Sequence, residues 1–515
     1  MKKKVTFTIA GTAAFITIFG LIRRSSGLVR ESLYANYFGL STDFDHYLIA
    51  AVIPLSINLV VIFVAQNYVV PNYQREKNNS IASAHEFSNS TFWMFGISGL
   101  VISLILFYFS RHIINLYLPN SDLESVNQTV LIFRIFIFTL PLNAFYSVFA
   151  SVLHSELQFK HPMYSQLLLN LVIIIFLLVF NSQLRIISIP IGYLIGNFMQ
   201  LLYLYFKSRK YLIPDFRKFL ASNKFAFFSS AFLFLVVIEI LGQSYSIIDR
   251  YFFEYLDEGG VAALNYAFIL FNLPIIIIAY ALTTVLFPTL SKLSSEKSFD
   301  EITNHLRNFF SINLFVFIPV SFVLFFYGEF LVKIIFEHGE FDQRATSLTY
   351  RALIIYSFSY VFISSYFVLN KLFYSFGKIK SLLVITIAGI LIKVILSFQL
   401  VTIYKQDGLA LSTSLTYVFF FSVSYFLIFK HLKFKNVRMF FIDLLFSGIN
   451  GIVAYILVRL CDIDLLFNSD IAANCLNTIL LLVFYFLSAL LVKHRPVTLI
   501  FDMINNYFGT KFKVA

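Results

Sequence analysis

The chain is nearly without cysteine. Cys461 and Cys475 are the only two in 515 residues, and their spacing fits neither a disulfide framework nor a zinc site. Charge is scarce as well: 13% of the residues are Asp, Glu, Lys or Arg, against about 25% in an ordinary soluble domain. Long polar connections are missing, which excludes a soluble multidomain protein. No HExxH, GxSxG or P-loop pattern occurs, and the connections expected on the outer side are too short to hold an active-site domain. No catalytic residue and no enzymatic activity is therefore expected. The most acidic loop, EHGEFD at 337–342, contains His338. One histidine among carboxylates is a weak basis for a metal, and no metal site is expected.

What remains is apolar. Hydrophobic residues make up 59% of the chain, 65 of them Phe, and the mean hydropathy is +0.81. Apolar runs of about 20 residues or more recur from end to end, each long enough to cross a bilayer as a helix. Fourteen such segments lie between 5–36 and 472–492. They predict an all-α polytopic membrane protein with 14 transmembrane helices. The N-terminus, MKKKVTFTIAGTAAFITIFG, mimics a signal peptide, but RRSSGLVR follows it in place of a cleavage site. It reads as an uncleaved first helix that starts in the cytoplasm.

A net charge of +12 raises the question of nucleic acid, and the distribution answers it. Lys and Arg concentrate at the N-terminus, in the even-numbered connections and at the C-terminus. The odd-numbered connections hold only Arg111, Arg185, Lys333, Arg344, Lys405 and Arg459 in or beside them. This is the positive-inside pattern. It places both termini in the cytoplasm and leaves no reason to expect a nucleic-acid partner. The largest basic cluster is Lys207, Arg209, Lys210, Arg217, Lys218 and Lys224. It reads as a topology determinant resting on anionic headgroups.

The cluster also divides a duplication. Arg30, Gly39, Pro54 and Lys77 recur 220 residues later as Arg250, Gly259, Pro274 and Lys297. Arg134 has a rough counterpart in Arg351. The expected organisation is an N-terminal six-helix lobe over 1–206 and a basic cytoplasmic linker over 207–224. A second, pseudo-symmetric six-helix lobe follows over 225–429, then two additional helices and a cytoplasmic tail over 430–515. Parallel repeats of this kind are a transporter architecture, with the site between the halves near the midplane.

Seven basic residues fall inside or beside the apolar spans: Arg23, Arg24, Arg30, Arg134, Arg250, Arg351 and Lys393. The acidic ones are Glu31, Asp45, Glu239 and Asp249. At the bilayer centre such a charge costs at least about 2.5–3.5 kcal/mol, so it persists only beside a watery cavity or a partner. Arginine grips phosphate oxygens with a planar, two-pronged fork. Arg24, Arg30, Arg134, Arg250 and Arg351 are the candidate substrate-binding residues, for a multiply anionic group such as a diphosphate. Glu31, Asp45 and Asp249 would orient those arginines or couple a cation, H+ or Na+; no other cofactor is expected. Plainer roles exist for several of them. Arg30–Glu31 and Asp249–Arg250 could be neutralising pairs, although adjacent residues do not face each other on a helix. A carboxylate at Asp45 also suits a helix N-terminus. Arg23 and Lys393 are long enough to snorkel to the interface.

Four stretches carry a family resemblance. They are RRSSGLVRESLYANYFGLSTDFDHYLIAAVIP from Arg23, GGVAALNYAFILFNLPIIIIAYALTTVLFPTLSKL (259–293), IIFEHGEFD (334–342), and the run from YRALIIYS to LNKLFYSFGKIKS (350–381). In order and spacing they resemble the MurJ/MviN-type lipid II flippases of the multidrug/oligosaccharidyl-lipid/polysaccharide exporter superfamily. The resemblance implies two six-helix lobes, and two C-terminal helices bordering a groove for a lipid tail. It also implies alternating access by a monomer in the bacterial cytoplasmic membrane, moving an undecaprenyl-diphosphate-linked glycan between leaflets. The family's first-helix arginines fall on Arg24 and Arg30, its neighbouring acid on Glu31 and its second-helix Asp on Asp45. Two features depart from the family pattern. An Arg-Arg pair of the second helix is replaced near Asn58 and Leu59, and an eighth-helix Arg falls on Ile269. Asp249–Arg250, reaching from the opposite lobe, would compensate. The alternatives are an exporter of O-antigen, capsule or exopolysaccharide repeat units, and a cation-coupled multidrug exporter, which the basic excess opposes. A membrane-bound glycan polymerase or ligase is opposed by the short outer connections.

Overall fold

In a bilayer the backbone finds no water, so an apolar chain must satisfy its own amides within helices. The protein, described here from a computed structural model, follows that rule over residues 2–221, 230–432, 438–461 and 470–501. Lys224 of the basic cluster and the tail beyond 501 lie outside the described residues. Among the described residues there are only helices, turns and bends. The helices are α1 (Lys2–Phe38), α2 (Thr42–Asn79), α3 (Ile81–Tyr117), α4 (Leu123–Ile137), α5 (Thr139–Ser155), α6 (Lys160–Leu184), α7 (Ser188–Ser208), α8 (Phe216–Ala221) and α9 (Ser230–Tyr251). They continue as α10 (Gly260–Pro274), α11 (Tyr280–Ser295), α12 (Phe299–Phe336), α13 (Gln343–Ser357), α14 (Tyr360–Ser375), α15 (Ile379–His431), α16 (Arg438–Leu460) and α17 (Asp470–Leu491).

Among the described residues, ten stretches are long and apolar enough to cross a membrane, and α13–α14, bent by 49°, makes an eleventh. Two of the ten, Lys160–Ser208 and Ile379–His431, run for 49 and 53 residues. At a rise of about 1.5 Å per residue each is over twice the roughly 30 Å hydrocarbon thickness. Both turn back midway, at Arg185 (φ 45°) and Lys405 (φ 50°). After the first turn α6 and α7 pack along each other; across the second, Ser397 Oγ and Ser412 Oγ come within 3.0 Å. With each long stretch taken as a hairpin and α1 added, the expected fourteen crossings are compatible with the structure.

The duplication runs deeper in the backbone than in the sequence. Residues with positive φ recur 220 positions apart: Gly39 and Gly259, Leu157 and Gly377, Arg185 and Lys405. So do the aspartates that cap α4 and α13. Asp122 accepts from the Ser125 amide at 3.0 Å, and Asp342 from the Ala345 amide at 2.7 Å. That amide bond holds the Asp122 carboxyl below the usual carboxylate range. The breaks between α4 and α5 and between α13 and α14 fall at Phe138 and Phe358, again 220 apart.

Packing divides the chain differently. One compact unit is Met1–Ala262 with His338–Phe341; the other is Ala263–Glu337 with Asp342–Ala515. Helix α9 opens the second repeat, yet it packs against α2 in the first unit. The first unit's core includes Val64, Val69, Tyr73, Phe149 and Leu153. In the second unit Tyr327, Val458 and Leu481 join α12, α16 and α17. Large apolar residues stay outside, Leu104 at 69% and Tyr108 at 78% exposed. In water that would be a liability, but lipid tails are as apolar as Leu, so it costs nothing here.

Candidate functional site

The charges of α1 gather on α6 and α7. Arg30 is half-buried, and its Nη2 meets Glu31 Oε1 at 2.6 Å. Its Nη1 donates to Asn170 Oδ1 at 3.1 Å, and Asn170 in turn donates to Ser26 Oγ at 2.9 Å. The Arg30 guanidinium also lies 5.7 Å from the Tyr34 ring and 5.4 Å from the Tyr193 ring, within cation–π range. Its Nε is buried and meets no acceptor among the described residues. One turn of α6 earlier, Gln166 Oε1 accepts from Arg23 Nη1 at 2.5 Å. Arg24 is half-buried beside it in the chain. Glu31 is therefore the direct partner of Arg30, against the expectation that neighbours on a helix avoid each other. Both side chains are long enough to close the gap.

Asp45 has a different task. It is 1% exposed, and its two oxygens accept from the backbone amides of Gly259 (3.0 Å) and Ala262 (2.7 Å) at the start of α10. The helix-terminus role holds, on a helix far away in sequence. Arg250 lies within electrostatic range of this carboxylate, inside the first unit and not in an opposite lobe. The turns around it are tightly set. Gly39 (φ 53°) and Gly259 (φ 78°) occupy the left-handed region. A Cβ at Gly39 would stand 2.2 Å from the Glu340 carbonyl oxygen, and one at Gly259 would stand 2.5 Å from Leu40.

The other expected residues stand apart by their contacts. Arg134 donates from Nε to Ser110 Oγ at 2.9 Å and lies 4.6 Å from the Phe107 ring, which ties α4 to α3. Arg351, in the second unit, is 61% exposed and bonds Asp407 just past the Lys405 turn. Glu239 accepts from Gln243 at 2.9 Å. Lys393 does not snorkel: it is 0% exposed. Where the second helix departs from the family pattern, Asn58 is buried and donates to Thr139 Oγ1 at 2.9 Å, while Leu59 faces outward at 53% exposure. That position carries a neutral amide, bonded through its nitrogen and with its Oδ1 buried and unpartnered among the described residues, in place of a cation.

The second unit has an apolar cavity of about 630 Å³. It lies between α12, the α13–α14 bend and α16, and Ser321, Phe322, Phe325, Phe358, Leu445 and Ile449 contribute to its wall.

The model of the family "Lipid II flippase MurJ" matches residues 34–486, which is nearly the whole span of helices. This chain belongs to the MurJ lipid II flippase family. It is a multi-pass protein of the bacterial inner membrane. Among curated MurJ relatives it resembles a probable lipid II flippase of Borreliella burgdorferi, with 25% identity covering 88% of each chain. One of Aquifex aeolicus is 28% identical over 69% of this chain and 70% of the relative. The lipid II flippase of Thermosipho africanus is 25% identical over 79% and 83%. In fold the chain resembles a solved MurJ in an inward closed conformation, with a TM-score of 0.77 over 93% of this chain and 99% of the other, at 22% identity. A MATE transporter in an inward-facing conformation follows at 0.66 over 80% and 94%, with 14% identity.

Sequence reasoning singled out Arg30, Glu31 and Asp45 as charges in need of partners, but not Asn170 and Tyr193, which contact Arg30, or Gln166, which contacts Arg23. Gln166 and Asn170 had left a signal: two polar residues four apart, hence on one face, inside an apolar run. Tyr193 left none, since tyrosine is ordinary in a chain with 30 of them.

Proposed function

We propose that this chain flips lipid II, the polyprenyl-diphosphate-linked peptidoglycan precursor, from the inner to the outer leaflet. The observation that carries the reading is the half-buried Arg30 guanidinium on the first helix of a MurJ-family chain. Asn170 and the two tyrosine rings hold its plane, so little orientation entropy is lost when an anion arrives. Glu31 neutralises it in the empty site, and a diphosphate oxygen takes over from the carboxylate as the cargo enters. Arg23 and Arg24 add positive charge on the same helix. With Asn58 in place of an arginine pair, the diphosphate depends on these first-helix groups. The apolar cavity of the second unit suits a segment of isoprenoid tail. Cargo leaves chemically unchanged, so no side chain is given a catalytic role. The protein works as a monomer, with both termini in the cytoplasm.

The test is rescue of a bacterium depleted of its own lipid II flippase. The wild-type chain is expected to restore growth and the outward movement of lipid II. Arg30→Ala, present at normal level, is expected to transport about 10-fold slower or worse, the loss typical of a charged hydrogen bond. A wild-type chain that reaches the membrane and does not rescue overturns the lipid II reading. Full rescue by Arg30→Ala overturns the role of Arg30 alone.

A further inference from the structure

Lys393 is the one ionisable group of the two hairpin limbs of α15 that has no outlet to the surface. It sits on the first limb and is 0% exposed. Its Nζ donates to the Leu409 carbonyl (3.3 Å), Ser412 Oγ (2.9 Å) and Thr413 Oγ1 (2.5 Å), all on the first turns of the second limb. An ammonium has three donors and no acceptor, and these three oxygens are among its partners here. The cage is itself braced. Ser412 and Thr413 both bond back to the Leu409 carbonyl, at 2.8 and 3.0 Å, and Ser397 Oγ lies 3.0 Å from Ser412 Oγ.

A backbone carbonyl and two hydroxyls converging on one buried positive charge is the ligand chemistry of a hard monovalent cation. Membrane transporters place such oxygens at interrupted helices to hold coupling ions, and α15 is interrupted at Lys405. Arg351 bonds Asp407 just beyond the same interruption, so the segment between 405 and 413 is fixed at both ends. We propose that the Lys393 ammonium is a tethered cation occupying a monovalent-cation site of the second unit, so that this chain needs no free sodium ion there. The proposal holds whatever glycan is carried. A charge fixed by its own side chain keeps α15's two limbs together at any external salt composition. It also cannot leave with the cargo, so this site cannot couple transport to a sodium gradient.

The site is exposed by shortening the lysine. Lys393→Ala removes the tether and leaves both the space and the oxygens; Lys393→Met removes the charge and fills the space. Each full-length variant, purified in detergent, is to be unfolded by heat in sodium chloride and in choline chloride of equal concentration. Lys393→Ala is expected to unfold about 2 °C or more higher in sodium than in choline, as mass action at a filled site requires. Wild type and Lys393→Met are expected to be indifferent. Recovery of folded Lys393→Ala from membranes in sodium but not in choline supports the same conclusion. The proposal is overturned if Lys393→Ala unfolds alike in both salts, or fails to fold in both. It is equally overturned if sodium stabilises the wild-type protein.

Discussion

At the scale of single residues, Asp45 makes the sharpest claim. Its carboxylate accepts two amides at the start of α10, where the unpaired N–H groups of a helix favour a negative charge. Asp45→Asn keeps one acceptor oxygen and loses the charge. The expected cost is about 1–3 kcal/mol, read as a lower thermal midpoint of the purified protein. An unchanged midpoint would show that the amides find water instead. Charge content alone pointed to Arg30, Glu31 and Asp45, because a charge in an apolar run must be compensated. It did not say by what. Asp45 finds its partners over 200 residues away, at Gly259 and Ala262, and no local pattern encodes that. Lys393 was misjudged for a related reason. Periodicity gives the face of a helix, but whether a long side chain runs outward or across depends on the neighbour packed there, here Leu409 to Thr413.

At the scale of elements, the two halves test each other. Leu157 and Gly377 hold the same left-handed turn, at φ 57° and 65°, one strained by its Cβ and the other not. Nothing lies within 4 Å of a Cβ built at Gly377, so Gly377→Leu should cost only the backbone term, about 1–2 kcal/mol. Leu157→Gly should be neutral or mildly stabilising, since the relief of strain is offset by the entropy of glycine in the unfolded chain. Thermal midpoints of both variants decide it; a Gly377→Leu protein as stable as wild type would mean that the turn is not held left-handed. Four identities 220 residues apart were enough to see the duplication in the sequence. The matching turns at Arg185 and Lys405 were not visible, because neither residue favours positive φ. The turn is imposed by the packing of the limbs on either side. That is also why two segments of 49 and 53 residues could be divided correctly by charge and hydropathy but not given their hinge.

At the scale of the whole molecule, hydropathy carried most of the information: an apolar chain in lipid has only helices open to it, and the long runs set their number. Packing units were not legible, since α9 belongs by repeat to the second half and by contact to the first. A run of apolar residues does not name the neighbour that it will cover. Topology remains to be tested, and the scarcity of cysteine supplies the probe. Fourteen crossings with both termini inside put the connection after α16 on the outer side. Cys461, exposed at the end of α16, should react in intact cells with a maleimide that cannot cross the membrane. Cys475 lies one turn into α17, inside the membrane-spanning stretch, where a water-soluble reagent that cannot enter lipid does not reach it. Cys461→Ser should therefore abolish most of the labelling, and a tag on the C-terminus should become reachable only after permeabilisation. Labelling of Cys461 only in permeabilised cells would invert the orientation drawn from the basic residues. The basic cluster of 207–218 would then face outward, away from the anionic leaflet that attracts it.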